Sequence, residues 1–153
     1  YGSRIHVDCP RYIPGYMTNL GVIFPLDDFT EKNGATYFLL GSHTREHLPS
    51  EEEFRQKAQQ IFAKRGDMIL FHGRLVHAAG FNSTQKHRHS LTINLCRHYM
   101  KQRFDLPRMA KPSLIKKLGE DGRRLIGMNA RVPAALKEFY LPEEERLYKP
   151  GQD

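Results

Sequence analysis

Cysteine is scarce in this chain: Cys9 and Cys96 are the only two. A disulfide scaffold is excluded, and neither thiol sits in a metal-binding spacing. Both are read as reduced, which points to an intracellular, cytoplasmic protein. Long apolar runs are absent too. The longest, such as 68–71, are four residues, against the roughly 18 that a membrane span needs. The opening residues Tyr-Gly-Ser-Arg-Ile-His carry no basic patch followed by an apolar stretch, so no signal peptide is read there. No internal repeat or low-complexity tract is present.

What remains is the composition of one ordinary domain. The 153 residues are 39% apolar and 27% charged, which is not a disordered composition. A chain of this length buries roughly 70% of its unfolded surface, so it can build a core. The net charge of +7 is uneven. The basic surplus begins near Lys64 and continues to the end. Such a surplus attracts phosphate, a coenzyme or nucleic acid, although a solvated basic face is the plainer reading.

Turn chemistry cuts the first hundred residues into short strands. Strands are expected at 4–7, 17–24, 36–40, 60–63, 68–71, 75–77 and Ser90–Cys96. Pro10, Pro14 and Gly15 make 9–16 a loop, and Asn33-Gly34 closes a long turn. Ser50 followed by Glu53 is a capping-box signature for a short helix. The last fifty residues change character. Segments 112–118, 123–128 and 133–140 read as short helices, with Pro112 and Pro133 at first-turn positions. Six or seven short strands argue a β-sandwich or barrel with a helical extension.

Eight histidines are present, and most need no special explanation. The pair His6-Val-Asp8 stands out because residues i and i+2 of a strand project to one face. A third ligand from a later strand, His77, completes two histidines and one carboxylate. That donor set leaves open positions and suits non-heme Fe(II) oxygenases. Eleven residues after His77, Arg88 enters the strand at Ser90–Cys96, where a guanidinium can grip a carboxylate bidentately. The remaining candidates read structurally. Gly41-Ser-His43, Asp27 and Asp28 are turn formers, Asn82 shapes a loop, His72 faces outward and Arg74 is a solvated cation within reach of an acidic substrate.

The order of these pieces resembles the phytanoyl-CoA dioxygenase family. The matching stretches are His6-Val-Asp8, Leu26-Asp-Asp-Phe-Thr-Glu-Lys-Asn-Gly34, Leu40-Gly-Ser-His43, Gly66-Asp-Met-Ile-Leu-Phe71 and His77-Ala-Ala-Gly-Phe-Asn82, with Arg88 after them. The resemblance implies a mainly β double-stranded β-helix, a jelly-roll or cupin-like barrel. Its core would span about 4–98, with a helical extension over 99–153, in a single catalytic domain over 1–153. It implies Fe(2+) on His6, Asp8 and His77, with 2-oxoglutarate and O2 as cosubstrates. Arg88 would hold the distal carboxylate of 2-oxoglutarate, with Ser90, Thr18 and Phe24 as further cosubstrate contacts. Asp8 argues against halogenation, since related halogenases keep a small residue there to admit chloride.

The implied activity is oxidation of an unactivated C–H, by hydroxylation or otherwise. The implied substrate is a small metabolite, a natural product or an acyl thioester, acidic or linked to coenzyme A or a carrier. The alternatives are a non-catalytic jelly-roll binding module or a nucleic-acid-acting oxygenase. The second is disfavoured because Asn94 stands where those enzymes tend to carry another arginine. Oligomeric state is left open. The family has further elements before the His-x-Asp segment, so an extension before Tyr1 is expected. Ala79 replaces a frequent serine.

Overall fold

The computed structural model describes residues 3–150. Within them the chain forms two compact units, 3–96 and 97–150. Among the described residues no helix is long and apolar enough to cross a membrane.

The first unit holds two antiparallel three-stranded sheets. One orders its strands β4 (Ile69–His72), β1 (Asn19–Pro25), β6 (Ser90–Cys96). The other orders β3 (Gln59–Gln60), β2 (Tyr37–Phe38), β5 (His77–Ala78). A core of Ile23, Phe29, Ala35, Phe38, Phe71 and Leu75 joins the two sheets. The Phe38 and Phe71 rings meet at 5.1 Å. Gly21 makes this possible, because a Cβ there would lie 2.2 Å from the Phe71 ring.

The expected strand at 4–7 is reduced to one bridge. His6 and His77 exchange both backbone hydrogen bonds, at 3.0 and 2.9 Å. Alternation still sorts the segment. Ile5 and Val7 pack on a second cluster of Leu39, Phe54, Val76 and Ala78, while His6 and Asp8 turn the other way.

The helix α1 (Glu51–Lys57) forms where the capping box places it, with Ser50 Oγ accepting the Glu53 N–H at 3.1 Å. Phe54 is its fully buried anchor. Other strands are shorter than their apolar runs, since loop bonds end them. The Leu39 N–H, for example, goes to the Val76 carbonyl.

The second unit is built from short helices. These are α2 (Leu106–Met109), α3 (Pro112–Lys117), α4 (Glu120–Leu125) and α5 (Leu136–Phe139), followed by a 3-10 turn at Glu143–Glu145. The helix α2, capped by Asp105, was not expected from the sequence. A bridge between Ala130 and Tyr148 ties the tail back onto this unit.

Candidate metal centre

Three side chains converge between the two sheets. One donor atom each from His6, Asp8 and His77 lies within 4.8 Å of the others. Asp8 Oδ1 is 3.7 Å from His6 Nε2 and 3.8 Å from His77 Nε2. The backbone sets this arrangement. The His6–His77 bridge puts the rings side by side at 4.2 Å. The Gly73 carbonyl accepts the N–H groups of both Asp8 and Cys9 at 2.9 Å, which fixes the carboxylate beside them. Gly73 itself lies close under Asn19, and a Cβ at 73 would meet Asn19 Cβ at 2.7 Å.

The imidazole tautomers follow from their partners. His6 Nδ1 is 2.8 Å from the Arg4 carbonyl, and His77 Nδ1 is 2.9 Å from the Leu75 carbonyl. A carbonyl only accepts, so each Nδ1 carries a proton, and in the neutral ring the lone pair is then on Nε2. Both free nitrogens are the ones that face Asp8. Tying the distal N–H of a ligating histidine to a carbonyl is how metal sites orient their ligands.

His77 is the buried member, at 7% exposure. Phe38 stacks on it at 5.6 Å and Phe71 meets it edge-on at 5.0 Å. Burial holds its pKa below the usual imidazole value, the Leu75 carbonyl opposes that, His6 adds to the lowering and Asp8 opposes it. The ring is thus kept neutral, the form that binds metal.

Asp8 has a partner that sequence reading missed. Asn94 Nδ2 donates to its Oδ2 at 3.3 Å, and Asn19 Nδ2 donates to Asn94 Oδ1 at 2.9 Å. The signal was present in the sequence: counting in twos from Arg88 puts Ser90, Thr92 and Asn94 on one strand face.

Arg88 lies against the core ring Phe29, with Cζ 4.1 Å from its centroid. Its Nε is buried with no hydrogen-bond partner among the described residues. Burial lowers its pKa, with Asp27 opposing. A half-buried guanidinium with an unused donor suits an anionic guest, because an unmade buried hydrogen bond is costly.

The other expected contacts are spread out. Ser90 opens β6 opposite Pro25. Thr18 is buried, with its hydroxyl 3.3 Å from Cys9 Sγ. Phe24 pairs with Leu91 on the opposite sheet face from Ile23, so the ring beside Arg88 is Phe29 instead. The structural readings of the turns are specific. Ser42 Oγ accepts the Val76 N–H, and Asp28 accepts from Arg65 N and Lys64 Nζ. Asn82 Nδ2 donates to the Lys86 carbonyl inside its own loop.

Two imidazole Nε2 atoms and one carboxylate facing a common point could hold a metal ion, and a two-histidine, one-carboxylate donor set fits Fe(II) with open positions. The model described as "Phytanoyl-CoA dioxygenase (PhyH)" matches residues 2–90, and this chain belongs to that family. Membership implies Fe(2+) and 2-oxoglutarate. "Uncharacterized protein Rv1501" of Mycobacterium tuberculosis is 31% identical over 152 residues, 99% of this chain and 56% of its own. "Dioxygenase FUM3" of Gibberella moniliformis is 28% identical over 133 residues, 87% of this chain and 44% of its own. The solved structure of EvdMO1 is similar at 27% identity and a TM-score of 0.53, over 60% of this chain and 22% of that one. The chain thus spans about half the length of the curated relatives it matches.

Proposed function

We propose that this chain carries the catalytic centre of an Fe(II)- and 2-oxoglutarate-dependent dioxygenase. It acts by hydroxylating, or otherwise oxidising, an unactivated C–H of a small molecule. His6, Asp8 and His77 hold the iron, and Arg88 holds the distal carboxylate of 2-oxoglutarate. In the whole protein the two facing sheets close into a double-stranded β-helix. The single observation that carries the reading is the pair of Nε2 atoms facing the Asp8 carboxylate at 3.7 and 3.8 Å, each ring held by its own Nδ1 on a carbonyl.

Bound iron and 2-oxoglutarate supply the oxidising chemistry with O2, leaving succinate and CO2 as by-products. The protein's own residues position and exclude. Phe38 and Phe71 shield His77 from water. Asn94 orients Asp8. Phe29 backs the Arg88 guanidinium, and Ser90, at the mouth of the same strand, adds a hydroxyl to the carboxylate end.

The test is Fe(II)-dependent succinate release from 2-oxoglutarate by the full-length protein and its His77→Ala variant. Release by the parent and none by the folded variant is expected. Equal turnover in the two would remove His77 from the site. Absence of both iron and 2-oxoglutarate binding in the parent would favour the non-catalytic alternative.

A further inference from the structure

A cavity of about 260 Å³ is lined by none of the three donors, but two of its residues, His72 and Arg74, flank the Gly73 that holds Asp8. Its walls come from the loop after Asp8, the 3-10 turn Ser42–Thr44 and the end of β4. Four cationic or cation-capable side chains line it: Arg11, His43, His72 and Arg74. Among the described residues no carboxylate does. Tyr12 and Tyr16 supply the aromatic part of the wall.

The wall is built firmly. Arg74 is 3% exposed, and its guanidinium donates to the backbone carbonyls of Pro10, Arg45 and Glu46. Every one of these acceptors is neutral, so the buried charge is held in place without being neutralised. The Tyr12 ring lies 5.0 Å from Arg74 Cζ, and the Tyr12 hydroxyl donates to the Thr44 carbonyl at 3.2 Å.

The two histidines bring no opposing charge to the cavity. Their rings stand 5.1 Å apart. His72 Nδ1 accepts the Arg74 N–H at 3.0 Å, so its proton sits on Nε2. His43 Nδ1 is buried with no partner among the described residues. Burial lowers the His72 pKa, with His43 and Arg74 adding to the shift. The orphaned His43 nitrogen is costly unless a guest completes it, and the Arg74 charge, hydrogen-bonded only to neutral carbonyls, favours an anion nearby.

The cavity adjoins the metal centre through the chain itself. His72 and Arg74 flank Gly73, whose carbonyl holds the Asp8 and Cys9 N–H groups. A volume of this size falls just below the roughly 300–1,000 Å³ of whole-ligand pockets. It therefore suits one end of a molecule whose remainder extends toward the metal.

We propose that this cavity receives the acidic end of the substrate, an oxyanion carried on an aromatic or compact apolar body, and so sets the enzyme's preference for anionic substrates. The inference rests on the oxygenase reading above. A carboxylate and a phosphate monoester share the required chemistry, and the test separates them.

Full-length protein loaded with Co(II) and 2-oxoglutarate is titrated with three probes by calorimetry: 3-phenylpropionate, its uncharged amide, and phenyl phosphate. The expected result is that at least one acid binds ten or more times tighter than the amide. The tighter acid identifies the oxyanion. The double variant Arg11→Ala/His43→Gln should lose at least tenfold for that acid, with the amide and the Co(II) ligand-field spectrum unchanged. Arg11 is exposed and neither residue makes a core contact, so this variant is expected to fold. An amide that binds as well as the acids, acids that do not bind, or a double variant that binds them normally would overturn the proposal. Failure to bind Co(II) or 2-oxoglutarate at all would instead sink the oxygenase reading, and the acid titration would still report on the cavity.

Discussion

Replacing Arg88 by Met separates function from stability, because the two should move independently. In the free protein this guanidinium is half buried, its Nε has no partner and burial lowers its pKa. Removing the charge removes that desolvation cost, while the similar length of Met keeps contact with Phe29. Opposing this is the lost cation–π contact at 4.1 Å, about 1–2 kcal/mol for a partly desolvated pair. The two terms nearly cancel, so the apo Tm should stay within about 4 °C of the parent, which is roughly 1 kcal/mol for a chain of this size. Cosubstrate binding should not cancel. A lost charge-assisted hydrogen bond is about 1.5–3 kcal/mol, which raises the 2-oxoglutarate Kd by a factor of roughly 12 to 140 at about 1.4 kcal/mol per decade. Thermal scans with and without 2-oxoglutarate read both quantities. The parent should gain Tm with cosubstrate and the variant should not. An apo Tm that collapses while the cosubstrate shift survives would make Arg88 a core-packing residue and remove it from the site.

Three further outcomes are expected. Asn94→Ala frees one oxygen of Asp8 and should weaken Co(II) or Fe(II) affinity by about tenfold, the low end for an outer partner, because the bond is long at 3.3 Å; unchanged affinity in a metal titration would show Asp8 to be held by the Gly73 carbonyl alone. Gly21→Ala pushes a Cβ into the Phe71 ring and should cost about 1–3 kcal/mol in urea unfolding, with no loss if the ring has room to move. The Asp28 carboxyl is lowered by the Arg65 N–H first and Lys64 next, so it contributes stability above its unfolded value and loses it as pH falls through the lowered one. Asp28→Asn should therefore be less stable at neutral pH with a flatter acid limb by circular dichroism, and coincident pH profiles would contradict this.

How far the sequence could be read depended on which interactions were local. The capping box at Ser50 and Glu53 is settled within three residues, and the helix appears where expected. The strand Ser90–Cys96 alternates along its whole length and was placed correctly. The segment 4–7 failed as a strand because its only ladder partner is a two-residue element 71 positions away, which gives one bridge. The alternation of β6 was legible but its sense was not. Leu91, Ile93 and Leu95 look like core residues, yet Leu91 is 52% exposed, and the polar row with Asn94 faces the metal ligand. The exposed row continues across the sheet at Leu70, beside Val22. For the candidate site, the three residues whose donor atoms meet were visible as spacing. The tautomer control was not, because it runs through the carbonyls of Arg4 and Leu75, which any residue would supply.

That last point divides the three ligands. His6 and His77 take their orientation from backbone acceptors two residues upstream, so changing the side chain at 4 or 75 leaves the acceptor in place. Asp8 alone depends on another side chain, since Asn94 restrains its Oδ2 and is itself held by Asn19. The carboxylate is therefore the adjustable member. Substitutions at 94 and 19 retune how tightly it grips, while the imidazoles stay fixed by the sheet. The same separation holds across the cavity wall, where Arg74 is pinned by carbonyls but Arg11 stands exposed on its loop. Each candidate site thus mixes two kinds of support: His6, His77 and Arg74 rest on main-chain carbonyls that tolerate sequence change, while Asp8 and Arg11 depend on side chains that single substitutions can replace.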